Sequence, residues 1–380
     1  MHYVCPMIKV GILGGGQLGR MLLQAAANYD VQTYVLENDS QCPAAHLCHH
    51  FTLGSITDYD AVYQFGKALQ VLTIEIENVN IEALIQLEKE GIVVIPNTNA
   101  LAIIKNKITQ KNFYKTIELP TSPFIVTQNK AELQAHINFL PAVHKLAEGG
   151  YDGKGVIAIT NADDIASAFD APAILEKMVD IDKELSIIIA VSQAGATVLY
   201  EPVEMIVDKR LNLLNYQISP APIPEKMMWK AEAIALKLVK ELKSPGIFAV
   251  ELFADKDGNV LVNETAPRVH NSGHHTIEAC YSSQFDMLWR IMLSYPLGNT
   301  NHILPSAIVN LVGHADYTGK VHYQGLHEVL AMDNVFVHLY GKKETNPGRK
   351  MGHVTILSSE PQELIHKANQ IKQLLKVISK

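Results

Sequence analysis

The sequence predicts a mixed α/β and α+β protein of two or three domains. Three observations point there. Residues 7–37 follow a strand–helix–strand pattern, residues 248–264 follow a hairpin pattern, and 380 residues exceed one average domain. A composition of 48% hydrophobic and 19% charged residues is that of a globular chain. The net charge of −7 and a pI of about 6.1 argue against a general nucleic-acid binder, while leaving room for a local basic pocket. Cys5, Cys42, Cys48 and Cys280 form no tight framework, so a reducing compartment is predicted. There is no signal-like apolar segment near the start, and no apolar run approaches the length of a membrane span. A cytoplasmic protein with no membrane partner is therefore expected.

Residues 7–20 read MIKVGILGGGQLGR, in which IKVGIL reads as a buried strand. Gly14, Gly16 and Gly19 fit G-x-G-x-x-G at the start of a helix, and VQTYVLE closes the unit at Glu37. Such a turn lets backbone amides approach a ligand closely. Dinucleotide binding and other uses of the unit both remain open on this motif. CPAAHLCHH at 42–50 reads as a surface loop, because no second ligand pair follows at finger spacing. VLTIEIENV reads as a strand ending in Glu75 and Glu77, which alternation puts on one side, where they can accept ribose hydroxyls or simply cap the strand. With GIVVIPNTNA as a further strand, residues 1–100 read as one small domain.

LAIIKNKITQKNFYKTI, with Lys105, Lys107 and Lys111, reads as a solvated basic helix. Lys145 lies near a strand end. GGYDGKG is a glycine-dense loop whose amides and Lys154 suit phosphate oxygens, but no G-K-[ST] opens a helix as in a Walker A loop. AILEKMV reads as a strand that can present backbone groups to a purine near Glu176, and Glu184 precedes another strand. Residues 225–242 and 283–295 read as packing helices.

FAVELFADKDGNVLVNE reads as a hairpin turning at DKDGN. Pairing its strands brings Glu251 and Glu264 to one site, and two carboxylates there suit a hard cation such as magnesium. Arg268, His270, Asn271, His274 and His275 then crowd a loop that offers donors to an anion. An ordinary hairpin with a solvated loop is the plainer alternative. After Pro296 short strands return, and Lys342, Lys343, Arg349 and Lys350 surround a Pro-Gly turn, as an anion clamp or as a solvated basic turn.

GGGQLGRM, IEIEN, GGYDGKG, FAVELF, NETAPRVHNSGHHTIEA with SQFD, and YGK…GRKMGH occur in one order over nearly the whole chain. In this the chain resembles the ATP-grasp superfamily, and within it the 5-(carboxyamino)imidazole ribonucleotide synthetase family. The resemblance implies an ATP-grasp fold: a Rossmann-like domain over 1–100, a two-lobed ATP-grasp domain over 101–295, and a small C-terminal domain over 296–380. It implies that Lys107 and Lys145 contact ATP and that Gly150, Tyr151, Asp152, Gly153, Lys154, Gly155 and Val156 cover its phosphates. Glu176, Lys177, Met178 and Val179 would line the adenine, Glu184 would take the ribose, and Glu204 would lie near another nucleotide position. Glu251 and Glu264 would bind Mg2+ with Asn263 beside them. Gln17, Leu18, Glu77, Arg268, His270, Asn271, Lys342 and Arg349 would surround the ribonucleotide. Tyr151, Asp152, Arg268 and Lys342 are the catalytic candidates.

The activity so implied is carboxylation of 5-aminoimidazole ribonucleotide with bicarbonate at the expense of ATP, in purine biosynthesis, by a homodimer. The chain departs from the family pattern at Lys107, often Arg; at LAE before the glycine loop, where basic residues are commoner; and at Asn346, often basic. A formate-dependent glycinamide ribonucleotide transformylase shares the first unit and the IEIE-type strand. A nicotinamide-dependent dehydrogenase explains only residues 10–37.

Overall fold

The computed structural model describes residues 7–150, 155–208 and 213–380, with side chains omitted at 208 and 213–215. Strands β1 (Ile8–Leu13), β2 (Val31–Glu37), β3 (His50–Leu53), β4 (Val71–Ile74) and β5 (Val93–Ile95) form a parallel sheet in the order β3-β2-β1-β4-β5. Helices α1 (Gln17–Ala26), α2 (Tyr59–Gly66), α3 (Ile81–Lys89) and α4 (Thr98–Lys105) provide the crossovers and cover. The central strands are apolar on both faces, as a covered parallel sheet requires: Val10, Ile12, Leu13, Leu72 and Ile74 are buried.

The basic segment at 101–117 is two helices. Asn106 is extended and its side chain accepts from the amides of Ile108 and Thr109, so it caps α5 (Lys107–Thr116) and ends α4. Lys111 is 2% exposed, which overturns the reading of this segment as solvated.

A four-stranded antiparallel sheet follows, ordered β6 (Phe124–Thr127), β9 (Ala173–Lys177), β7 (Ala142–Leu146), β8 (Val156–Ile159). The large sheet then begins with β10 (Ile181–Val191), β11 (Thr197–Leu199), β12 (Val203–Asp208) and β13 (Leu213–Ser219). After helix α6 (Glu225–Leu242) come β14 (Gly246–Asp255) and β15 (Val260–Ala266), the predicted hairpin. Short α7 (Thr276–Ala279) and α8 (Gln284–Met292) lead to β16 (Ser306–Val312). β17 (Gly319–Gln324), α9 (Leu326–Leu330), β18 (Val335–Leu339), β19 (Glu344–Thr345), β20 (Lys350–Leu357), α10 (Pro361–Leu374) and β21 (Lys376–Ser379) complete the chain.

The large sheet runs β15-β14-β10-β12-β13-β16-β20-β18, with β11 beside β10. The β13–β16 pairing carries it without a break into the C-terminal segment. α8 is amphipathic and buries Phe285, Met287, Leu288 and Trp289 in a core shared with Val10, Ile12 and Leu22. Trp289 Nε1 donates to the Leu22 carbonyl at 2.7 Å, so the first sheet docks on the second through α1 and α8.

The glycine turn before α1 is filled from within. Glu75 turns back beyond β4, and its carboxylate accepts from the amides of Gly16 at 2.5 Å and Gly19 at 2.6 Å. Glu37 accepts from Gly15 at 3.0 Å. Gly14 has φ +102, and a Cβ there would strike the Glu75 side chain. A Cβ on Gly15 would strike the Cys42 sulfur, and Cys42 and Ala44 are buried, so the start of CPAAHLCHH is core rather than surface loop. The amides a dinucleotide pyrophosphate would need are taken, which removes the dehydrogenase reading and any ribose role for Glu75.

Glu75→Ala should destabilise the fold by about 2–3 kcal/mol, because it strands one part-buried and one buried amide at a helix N-terminus. Urea unfolding is the measurement, and an unchanged midpoint would count against this plug.

Candidate active site

The β14–β15 register sets Glu251 opposite Glu264, with a bulge between Glu251 and Leu252. Non-hydrogen-bonded and bulged positions bring side chains close and re-aim them. Asn263 Nδ2 lies 3.4 Å from Glu251 Oε2 and His270 Nε2 lies 3.5 Å from Glu251 Oε1. Lys107, at the first turn of α5, pairs with Glu264. Lys145 on β7 donates to Asn263 Oδ1 at 2.9 Å and Glu176 Oε2 at 3.0 Å, and Lys111 stands 3.1 Å from Glu176 Oε1. The two sheets are thus joined by a network of alternating charge.

Its electrostatics are unequal. Lys107 holds the Glu264 carboxyl down at about 2. Burial, then repulsion from Glu264 and Glu184, pushes Glu251 up to about 8. Burial raises Glu184 as well, partly offset by Lys145. Burial brings Lys111 down to about 8 against the pull of Glu176. Burial works against the charge on Lys107, and Glu264 outweighs it, leaving that amine raised. One carboxylate is ionised and its partner holds a proton, so the pair has capacity for further positive charge.

The glycine loop is anchored beside this network. Lys145 pairs with Val156 across β7–β8, and the Leu146 amide donates to Gly155 O at 2.9 Å. Tyr151, Asp152, Gly153 and Lys154 lie outside the described residues; Gly150, Gly155 and Val156 stand at the loop's base. The family-atypical LAE segment is used locally: Ala147 O accepts from the Lys107 amide at 2.8 Å, and Glu148 accepts from Asn106 Nδ2 at 2.8 Å. Glu176 is buried between two lysines, so its side chain serves the network. Lys177 turns its amine to the carbonyls of Phe139 and Leu140 at 3.0 and 3.1 Å. Met178 is 38% exposed, with Val179 following it, at the connection between β9 and β10. Glu204 pairs with Lys183 at 2.8 Å on the neighbouring strand.

A second set of contacts gathers residues from distant parts of the chain. Lys342 Nζ donates to Gln17 Oε1 at 2.9 Å and to Lys350 O at 2.7 Å. Gln17 and Leu18 are the first residues of α1. Arg268 bonds Glu77 at 3.0 Å and the Val269 carbonyl at 3.1 Å, and its buried Nε has no hydrogen-bond partner among the described residues. Asn271 opens the short turn Asn271–Gly273. Arg349 is exposed and donates to Glu344 O at 2.9 Å. Gln17, Glu77, Arg268 and Lys342 are therefore positioned by direct contacts, while Arg349 lies at the rim.

Several positioning residues carry no motif of their own. Gln284 Oε1 accepts from the His270 amide at 2.9 Å and its Nε2 donates to His270 O at 2.7 Å, clamping the basic loop. A Cβ on Gly273 would strike this amide. Ser186, directly across from Glu251, meets Ser272 at 2.8 Å. SQFD signals only a helix start, with Ser283 as N-cap.

Two antiparallel sheets that close on a lysine–carboxylate network, with a glycine loop on one and an acidic hairpin on the other, define the ATP-grasp class. The ATP-grasp domain model matches residues 112–285, the ribonucleotide synthetase preATP-grasp domain model residues 7–105, and the phosphoribosylaminoimidazole carboxylase C-terminal domain model residues 306–367. The chain is 36% identical to the N5-carboxyaminoimidazole ribonucleotide synthase of Brucella melitensis biotype 1, over 92% of this chain and 96% of that one. A crystal structure of the synthetase from Thermotoga maritima superposes with TM-score 0.91 at 36% identity, covering 98% of this chain and all (100%) of that one. The Aspergillus clavatus synthase in complex with ADP and 5-aminoimidazole ribonucleotide gives TM-score 0.87 at 30% identity, covering 97% and 98%. The chain spans 64% of the length of the chloroplastic phosphoribosylaminoimidazole carboxylase of Vigna aconitifolia, to which it is 35% identical over 93% of itself. The chain belongs to the N5-carboxyaminoimidazole ribonucleotide synthase family.

Glu251 holds a proton in the native state that the unfolded chain releases above about pH 4.5. Its contribution therefore favours folding at low pH and is lost as pH rises through about 8. Glu251→Gln should raise the Tm of the nucleotide-free, metal-free protein by at least about 2 °C at pH 8–9 and by less near pH 5. A gain equal at both pH values would contradict the raised carboxyl.

Proposed function

We propose that the chain carboxylates 5-aminoimidazole ribonucleotide, consuming ATP and bicarbonate and releasing ADP and phosphate. The observation that carries this reading is the contact of Lys342 with Gln17, because it brings a cation from the C-terminal segment to the start of α1, where an anion would be bound. Family membership supports the same chemistry.

In this reading Lys107 and Lys145 hold the nucleotide phosphates, and Glu184 takes the ribose. The connection Glu176–Val179 lies against the adenine. Gly150 and Gly155 with Val156 frame the loop that covers the phosphates and excludes water, with Tyr151 and Asp152 on it. The donor set of Glu251, Glu264 and the Asn263 amide oxygen fits Mg2+, a hard cation with oxygen ligands. When bound, that ion would neutralise charge on the transferring phosphoryl group. The γ-phosphoryl passes to bicarbonate, giving carboxyphosphate, which releases carbon dioxide and phosphate inside the closed site. The exocyclic amine of the ribonucleotide attacks that carbon dioxide and loses a proton, giving the carbamate. Arg268, oriented by Glu77, supplies the cation for bicarbonate or carboxyphosphate. The Gln17 and Leu18 amides at the start of α1, with Lys342 and Arg349, take the ribonucleotide phosphate, while His270 and Asn271 line its remaining surface. A homodimer in the cytoplasm belongs to the same reading.

ADP release with 5-aminoimidazole ribonucleotide should require bicarbonate, and formate with glycinamide ribonucleotide should give none. The reverse result would assign the transformylase instead. Glu264→Gln should lower kcat by at least about 100-fold with an unchanged circular-dichroism spectrum. Lys342→Met should raise KM for the ribonucleotide about 10–100-fold with little change in KM for ATP. An equal rise in both would remove Lys342 from the ribonucleotide corner.

A further inference from the structure

Behind the loop that carries Arg268 and His270, three side chains with no part in the proposed reaction converge. His275 and Cys280 flank α7, and His302 lies in the connection before β16. An isolated antiparallel bridge joins Cys280 to His302. One imidazole nitrogen from each histidine and the Cys280 sulfur lie within 4.8 Å of one another, the sole such group among the described residues. His275 is fully buried, Cys280 is 4% exposed, and the His302 side chain 9%.

The second contacts of these groups are those of metal ligands. His275 Nδ1 lies 3.0 Å from the Ser272 carbonyl, which fixes the proton on that nitrogen and leaves the Nε2 lone pair facing inward. Ser219 Oγ lies 3.1 Å from His275 Nε2 and 2.8 Å from His302 Nε2, and its single proton serves one of them. His302 Nδ1 is buried with no hydrogen-bond partner among the described residues, and a Glu201 carboxylate oxygen lies 3.7 Å from it. Burial keeps both imidazoles neutral, with His275 brought down to about 3, and pushes the Cys280 thiol up to about 12. Zinc bonds of roughly 2.0–2.3 Å put tetrahedral donors about 3.3–3.8 Å apart, so the cluster needs to close by only about 1 Å. Two imidazoles and a sulfur suit a borderline-soft ion and are a poor set for Mg2+.

We propose that His275, Cys280 and His302 form a site for one Zn2+ ion, separate from the carboxylate pair of the cleft. The S–H bond of Cys280 breaks as the S–Zn bond forms, and its proton leaves to solvent; nothing is oxidised or reduced. Ser219 Oγ or a water completes the four-coordinate set. The ion would tie the loop bearing Arg268 and His270 to β13 and to the connection before β16.

Metal-stripped full-length protein, without nucleotide, should bind one equivalent of Co2+ with a thiolate-to-cobalt charge-transfer band, and Zn2+ should displace it. Cys280→Ser should abolish the band while keeping the far-UV spectrum. His302→Gln should weaken binding at least about 10-fold, and Zn2+ should raise the Tm of the parent protein but not of this variant. No thiolate band, or a band that persists in Cys280→Ser through Cys42 or Cys48, overturns the proposal. Neither result bears on the carboxylation reading, since no nucleotide is present.

Discussion

The cleft depends on one constraint: two glutamates on adjacent strands, Glu251 and Glu264, must share a site that opposes having two negative charges. Lys107 settles the conflict for Glu264, and proton retention settles it for Glu251. A buried carboxylate pair alone would be a liability. Here it is the receptor half of a charge pattern whose other half is Glu176 between Lys145, both on the smaller sheet, and Lys111 of α5. The sheets therefore meet through complementary charge, and apolar packing lies behind them.

The second organising contact is internal to the first sheet. A turn that elsewhere receives phosphate is here neutralised by Glu75 and Glu37. The N-terminal unit thus keeps the geometry of a nucleotide binder while its amides are committed. Gln17, the first residue of α1, is only half-buried, and Lys342 reaches it from the far end of the chain.

Much of this was legible. Alternating apolar residues and the DKDGN turn specify the hairpin and pair Leu252 with Val262, but the bulge just beyond, which nothing in the sequence marks, is what sets Glu251 against Glu264 rather than Asn263. The packing helices over 225–242 and 284–292 follow from their apolar spacing. Other features were hidden for physical reasons. Glu75 sits one residue past β4, where strand alternation no longer dictates direction, so its inward turn had no local signal. Lys111 looks solvated until Glu176, on another sheet, supplies its counter-charge. The break at Asn106 has neither glycine nor proline to mark it, and a side-chain cap does the work instead. The β13–β16 pairing joins segments whose own sequences say nothing about each other.

The contact between Gln17 and Lys342 has a temporal side. The α1 turn emerges from the ribosome early, while its cationic partner is made more than three hundred residues later. Until then the nascent chain can build its first sheet and its hairpin, yet the start of α1 waits for its cation. Synthesis must run past Lys342, almost to the last helix, before that contact can form.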